Sequence, residues 1–282
     1  MLVALFRLLA RLPLSWLHGA GAALGWLVYW SSPSYAARLR ENLQASGVCS
    51  GAAQCAAMLS AAIAETGKGV TELIAVWFGR DEEVARLVVE CERWSIVEAA
   101  RARGDGIIFL TPHLGCFEVS ALYAAQRMPL TVLYRPPKKR WIEPLMVAGR
   151  SRWQAAVAPA NLRGVRRLYK ALARGEAVGL LPDQAPGMGE GVWADFFGRP
   201  AYTMTLVRRL QQASGAAVIM AFAERLTAGR GYRLHLEALA ANQLDETALN
   251  RAVEAQVRRC PEQYLWSYNR YKIPAGAKPP EF

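Results

Sequence analysis

Histidine is scarce in this chain: His18, His113 and His235 are the only three among 282 residues. Any reaction that needs an imidazole base therefore has very few places to occur. Cysteine is nearly as thin, with Cys49, Cys55, Cys91, Cys116 and Cys260 odd in number, scattered, and free of C-x-x-C or paired Cys/His spacing. That pattern argues against a structural metal and points to a reduced compartment. No internal repeat, low-complexity tract or convincing interdomain linker interrupts the chain, and 53% of its residues are hydrophobic, enough for one large core. Charge is lopsided: 34 Lys and Arg against 23 Asp and Glu give a formal net charge of +11. Such an excess asks for an anionic partner, be it nucleic acid, a membrane surface, a phosphorylated substrate or an acidic protein. Nucleic acid is disfavoured, because no helix-turn-helix, zinc or RNP-type signature accompanies the charge.

Acidic residues are also missing from the first thirty positions, where Arg7 and Arg11 are the only permanent charges. From residue 12 to Trp30 the chain is apolar apart from Ser15, His18 and several glycines. Those nineteen residues, at about 1.5 Å of rise each, fall just short of a roughly 30 Å hydrocarbon core. A signal peptide is disfavoured by Trp26, Tyr29 and Trp30, which stand where small residues should precede a cleavage site and which suit an interfacial belt. Residues 1–30 are therefore expected to form a membrane anchor helix, either spanning the bilayer or lying in its interface. A buried helix of an ordinary globular fold is the alternative.

Residues 31–282 read as one catalytic unit, a helical layer over 31–89 followed by an α/β core over 90–282. The layer is alanine-rich, and Met58, Ile63, Val70, Ile74 and Trp77 recur at helix-compatible steps, which predicts two or three helices. Beyond it, apolar runs at 106–110, 130–135, 155–158, 177–181, 216–223 and 232–237 predict strands. Amphipathic stretches at 117–127, 139–153, 162–174, 203–214 and 246–259 predict helices, with a glycine-rich loop at 186–191. The alternation predicts an α/β fold with a mostly parallel sheet flanked by helices.

The segment Thr111-Pro112-His113-Leu114-Gly115-Cys116-Phe117-Glu118 follows the first of these strands directly and leads into a helix. In open α/β sheets the carboxyl ends of strands are where active sites gather. A neutral imidazole there can take a proton from an alcohol, and a carboxylate on its other nitrogen fixes the tautomer. His113 and Glu118 have the components of such a base and its orienting group. On spacing alone, a helix-capping histidine beside an exposed glutamate fits equally well. Cys116 between them raises a cysteine nucleophile, against the commoner fate of a small buried thiol.

Further blocks extend the pattern: Tyr134-Arg135-Pro136, Gly149-Arg150, Leu181-Pro182-Asp183-Gln184, a run from Gly191 to Gly198, and Pro261-Glu262-Gln263-Tyr264 through Trp266 to Lys272. Together with Arg40-Glu41-Asn42-Leu43 they resemble the lysophospholipid-acyltransferase superfamily, specifically the late acyltransferases of lipid A biosynthesis. The resemblance implies acyl transfer from an acyl carrier protein thioester, or acyl-CoA, to a hydroxyl of a phosphorylated lipid A precursor. It implies no metal or redox cofactor, and a bacterial inner-membrane location with the catalytic domain facing the cytoplasm. His113 is then the general base, Glu118 its partner, Arg150 and Asp183 further site residues, and Arg135 a candidate for anion binding. Cys116-Phe117 stands where many relatives carry asparagine and tryptophan, which bears on the acceptor more than on the reaction. A glycerolipid or other lysophospholipid acyltransferase is the rival enzyme, and a protein that merely binds anionic lipid is the rival outside enzymes.

Arg163, Arg166, Arg167, Lys170 and Arg174 recur at three- and four-residue steps and form one basic stripe on a predicted helix. Acyl carrier protein and lipid phosphates are the anions that the resemblance offers it. An ordinary solvated helix face is the alternative.

Overall fold

The computed structural model describes residues 2–137, 139–240 and 244–280, so Met1, Glu281 and Phe282 at the ends of the expected domains lie outside the described residues. The helices are α1 (Leu2–Leu9), α2 (Leu14–Ser31), α3 (Pro33–Ala45), α4 (Ala52–Phe78), α5 (Asp81–Ala85), α6 (Ser95–Ala102), α7 (Phe117–Ala125), α8 (Ile142–Arg150), α9 (Leu162–Ala173), α10 (Leu206–Ser214) and α11 (Glu246–Arg259). The strands are β1 (Val88–Cys91), β2 (Ile107–Leu110), β3 (Leu130–Tyr134), β4 (Ala155–Pro159), β5 (Ala177–Leu180), β6 (Gly191–Phe196), β7 (Arg199–Met204), β8 (Ala217–Arg225) and β9 (Tyr232–Leu239).

Seven strands form the central sheet in the order β1-β9-β8-β2-β5-β3-β4, and only the β8–β9 pair is antiparallel. The mostly parallel sheet expected from the alternation is thus present. Its middle strands, Ile-Ile-Phe-Leu in β2 and Ala-Val-Gly-Leu in β5, are buried at every position because helices cover both faces. Successive side chains of β2 accordingly serve two cores. Ile108 and Leu110 join Leu168, Val207, Leu210 and Val253 of α9, α10 and α11, while Ile107 and Phe109 join Val97, Val119 and Leu122 of α6 and α7.

The one anchor helix expected over residues 1–30 is found as two, α1 and α2, and α2 carries most of the apolar run from residue 12 to Trp30. The chain breaks at residues 10–13 and enters α2 after Pro13, whose ring fixes φ and supplies no N–H to continue α1. No helix among the described residues is long and apolar enough to cross a membrane. Leu17, His18, Gly21 and Gly25 of α2 are buried against α4, whereas Trp16, Leu27 and Trp30 face outward. The crossing is close enough to require glycine. A Cβ on Gly25 would lie 2.2 Å from the Ile63 carbonyl oxygen, and one on Gly67 would lie 2.0 Å from that of Gly21.

Behind this crossing lies a buried ionic cluster. Arg225 at the end of β8 donates through Nε (2.7 Å) and Nη2 (2.8 Å) to Glu72 of α4 and through Nη1 to Glu65 (2.6 Å), and the Tyr232 hydroxyl donates to Glu72 (2.8 Å). Burial works against the Glu72 charge, but Arg225 outweighs it and brings the carboxyl down to about 2. The cluster fastens the helical layer to the sheet.

Two further expectations are corrected. Residues 191–204 form the β6–β7 hairpin, so Thr203 is strand and α10 starts only at Leu206. The hairpin turns through Phe197 and Gly198, both at positive φ (49° and 69°), a two-residue turn shape in which Asn-Gly is the usual sequence signal. Cys49 and Cys55 are joined by a disulfide, where the cysteine pattern pointed to a reduced chain. The loop between α3 and α4 folds back and brings their Cα atoms to 5.2 Å, a closeness that a six-residue separation does not announce.

Candidate active site

Past Leu110 the chain leaves β2 and is pinned at nearly every residue. Thr111 N–H still donates to Leu180 of the neighbouring strand (2.9 Å), Gly115 N–H to Gln263 (3.1 Å), and Cys116 N–H to Ala223 (2.9 Å), while Leu265 N–H reaches the His113 carbonyl (2.9 Å). Gly115 sits at φ 59°, and a Cβ there would fall 2.0 Å from the Ala223 carbonyl oxygen. Only glycine lets this turn lie so close to β8.

The turn delivers His113 to the segment that follows β5, the parallel neighbour of β2. Asp183, 1% exposed, accepts the His113 backbone N–H at Oδ2 (2.9 Å) and meets ring nitrogen Nδ1 at Oδ1 (2.9 Å). An ionised carboxylate can only accept, so this contact assigns the proton of a neutral ring to Nδ1 and leaves the lone pair on Nε2. Burial opposes the Asp183 charge, but the positive charge of His113, its hydrogen bonds and Arg270 hold the carboxyl below its usual range. Nε2 lies 3.3 Å from the amide nitrogen of Gln184.

Rings hold the imidazole as well. Tyr268 stacks on it with an interplanar angle of 10° and centroids 5.8 Å apart, its hydroxyl accepting the Ala185 N–H (3.0 Å), and Phe117 meets it edge-on at 5.1 Å. The Tyr268 segment is itself anchored. Asn42 donates to the carbonyls of Trp266 (2.7 Å) and Tyr268 (3.1 Å), and buried Arg270 donates to the Tyr202 carbonyl and Thr203 Oγ1 (both 2.7 Å).

Glu118 does not complete a pair with His113. It is the second residue of α7 and points into the protein, where Arg150 of α8 donates to both of its oxygens and the Trp77 indole N–H adds a contact at 3.4 Å. The left-handed turn at Gly115 separates the two side chains: the imidazole faces the end of β5, the carboxylate faces α4 and α8. Burial works against the Arg150 charge, yet Glu118 outweighs it and pushes the guanidinium above its usual value. Cys116 is fully buried, and that burial, reinforced by Glu72, pushes its thiol well above the ordinary range. A protonated, inaccessible thiol is no nucleophile.

Near the imidazole lies a cavity of about 310 Å³, walled by Leu133, Leu162, Val165, Leu180, Leu181 and Leu206 and reaching Gln184. Arg135 and Arg209 line it with exposed guanidinium groups. A largely apolar slot with cations in its wall and Gln184, the neighbour of the imidazole, in its lining suits an acyl chain attached to an anionic group.

Sequence comparison identifies the arrangement. A profile of the bacterial lipid A biosynthesis acyltransferase family matches residues 1–273. The chain belongs to that family. It is 29% identical over 252 residues to the lipid A biosynthesis palmitoleoyltransferase of Escherichia coli K12, covering 86% of this chain and 76% of that protein. It is 28% identical over 213 residues to the lipid A biosynthesis lauroyltransferase of the same organism, covering 73% and 69%. A lipid A biosynthesis acyltransferase of Haemophilus influenzae is 30% identical over 177 residues, covering 60% of this chain and 55% of that protein.

In this lipid A acyltransferase the residues expected at the site fall into two groups and one outlier. His113 and Asp183 meet at the ends of β2 and β5; Glu118 and Arg150 meet between α7 and α8; Arg135 stands apart on the cavity wall. Gln184 and Tyr268 are the members that sequence reasoning passed over. Both sit inside blocks quoted for the family resemblance, and their signal lay in those blocks.

Proposed function

We propose that this acyltransferase moves a fatty acyl group from an acyl carrier protein thioester to a hydroxyl of a phosphorylated lipid A precursor, with His113 as general base. The observation that carries the proposal is the imidazole itself: Nδ1 is tied to a buried carboxylate, while Nε2 sits beside Gln184 of an apolar cavity. Nε2 takes the proton of the acceptor hydroxyl, and the oxygen attacks the thioester carbonyl carbon. The tetrahedral intermediate expels the thiolate, which recovers the proton from the imidazolium. Asp183 stabilises that imidazolium. The oxyanion is met by the N–H groups of Phe117 and Glu118, which open α7 and have no carbonyl four residues back within the helix. Glu118 acts through Arg150, fixing the corner against which these amides are set. Arg135 holds a phosphate of either substrate. No resident cofactor takes part; the acyl thioester is a substrate.

The exposed Leu5, Leu8, Trp16, Leu27 and Trp30 of α1 and α2 support attachment to the cytoplasmic face of the bacterial inner membrane, with these helices in the interface. The test incubates the purified chain and its His113→Ala variant with acyl-acyl carrier protein and a lipid A precursor, and weighs the lipids by mass spectrometry. Native protein should add the mass of one acyl chain, and the variant should add none while keeping its circular dichroism spectrum. Acylation of a lysophospholipid in place of the lipid A precursor would move the assignment to a glycerolipid acceptor. Equal thioester cleavage with and without acceptor would make hydrolysis the reaction.

A further inference from the structure

Helix α9 carries Arg163, Arg166, Arg167 and Lys170, with Arg174 at its C-terminal cap, and not one acidic residue. Two of these cations are engaged: Arg167 donates to the Val157 carbonyl (3.0 Å), and Arg174 pairs with Glu176 (2.7 Å). Arg163, Arg166 and Lys170 are exposed, and no ion pair or hydrogen bond of their side chains occurs among the described residues. Spaced three and four apart, they stand in a row along the outer face and border a shallow hollow beside Tyr169. Like charges at this spacing weaken a helix, and nothing within the fold compensates them.

Three observations say what lies opposite. The row is continuous with the active site, since Asn161, Leu162 and Val165 at the start of α9 wall the cavity that reaches Gln184. It is separate from the apolar surface: α9 packs on β3, β4 and β5, whereas α2 packs on α4 and on the turn between β8 and β9, on the other side of β2. Leu162 is the large hydrophobic side chain exposed on α9, a single one beside a row of cations, which is little apolar surface to insert into lipid. A dense row of unpaired cations with little exposed apolar surface, beside the entrance to an acyl cavity, fits an acidic protein surface better than a bilayer.

We propose that the outer face of α9 docks an acidic face of the protein that carries the acyl thioester, through Arg163, Arg166 and Lys170, and so presents the thioester arm to the cavity beside Leu162. This rests on the acyl-transfer reading above. The test compares the native chain with Arg163→Glu/Arg166→Glu/Lys170→Glu and with the charge-preserving Arg163→Lys/Arg166→Lys, using acyl-acyl carrier protein and acyl-CoA as alternative donors to one lipid acceptor. Charge reversal should raise KM for the carrier-borne donor by about tenfold or more, leave kcat and the acyl-CoA constants unchanged, and lose its effect in about 1 M salt. Anisotropy of a labelled carrier protein should show the same tenfold weakening, and the lysine variant should behave as native. Unchanged carrier affinity, an equal change for both donors, or loss of binding to phosphatidylglycerol vesicles with carrier affinity intact each overturns the docking role. Native protein that uses neither donor overturns the acyl-transfer reading itself, a distinct result.

Discussion

Two buried carboxylates flank the turn after β2, and their partners differ in kind. Glu118 is held by Arg150, a cation at every accessible pH, whereas Asp183 is held by an imidazole, a group that can take up and release a proton. A carboxylate with a permanent cation can only build; one with a switchable partner can also follow a proton through a reaction. The site thus divides into a scaffold half between α7 and α8 and a reactive half at the ends of β2 and β5.

The sharpest way to break this division is to neutralise each carboxylate in turn. Asp183→Asn should lower kcat by roughly 10³- to 10⁴-fold, because the ring loses its tautomer and its counter-charge, with little change in melting temperature. Glu118→Gln should act chiefly on the fold. It leaves a buried guanidinium without its anion, which costs about 3–5 kcal/mol in chemical denaturation. A Glu118→Gln enzyme that keeps its stability and loses as much turnover as Asp183→Asn would exchange the two roles.

A third buried carboxylate extends the scaffold side. Glu72 has a folded pKa of about 2 beside Arg225, below its ordinary 4.5. Its contribution is therefore complete above the unfolded value and is lost as pH falls from about 4.5 towards 2, a difference of about 3 kcal/mol. Melting temperature followed against pH should show this acid-side loss in the native chain and lack it in Glu72→Gln. The smallest effect belongs to Tyr268. Removing the ring that stacks on the imidazole with Tyr268→Leu should lower kcat by about two- to fivefold, since a cation–π contact of about 0.5–1 kcal/mol with the imidazolium is lost. Tyr268→Phe, which keeps the ring, should leave kcat in place.

The sequence makes individual residues legible and leaves their pairing obscure, for a physical reason. His113, Glu118, Arg150 and Asp183 stand out by type and by position near element ends. Which carboxylate faces the imidazole, however, depends on β5 lying next to β2, and the two partners are 70 residues apart. Strand order is set by long-range packing that local periodicity does not encode. The regular elements are plain where burial imposes a period, as in α9 and α11, or an unbroken apolar run, as in β2. The β6–β7 hairpin is not, because Phe197 occupies a turn position that asparagine usually marks and Pro200 interrupts the strand pattern. The amino terminus is legible as a helix, since its apolar run forms α2, but the glycines that turn one face of that helix inward onto α4 record a close approach that composition does not announce.

Those glycines have a consequence for how the enzyme meets its lipid. With Gly21 and Gly25 laid directly on the α4 backbone at Gly67, α2 is fused to the catalytic body and has no linker on which to swing. Whatever surface Trp16 and Trp30 rest against, the height of His113 above it is a constant of the fold. On the proposed mechanism the acceptor hydroxyl must therefore come to that fixed height, since the imidazole cannot swing out to meet it.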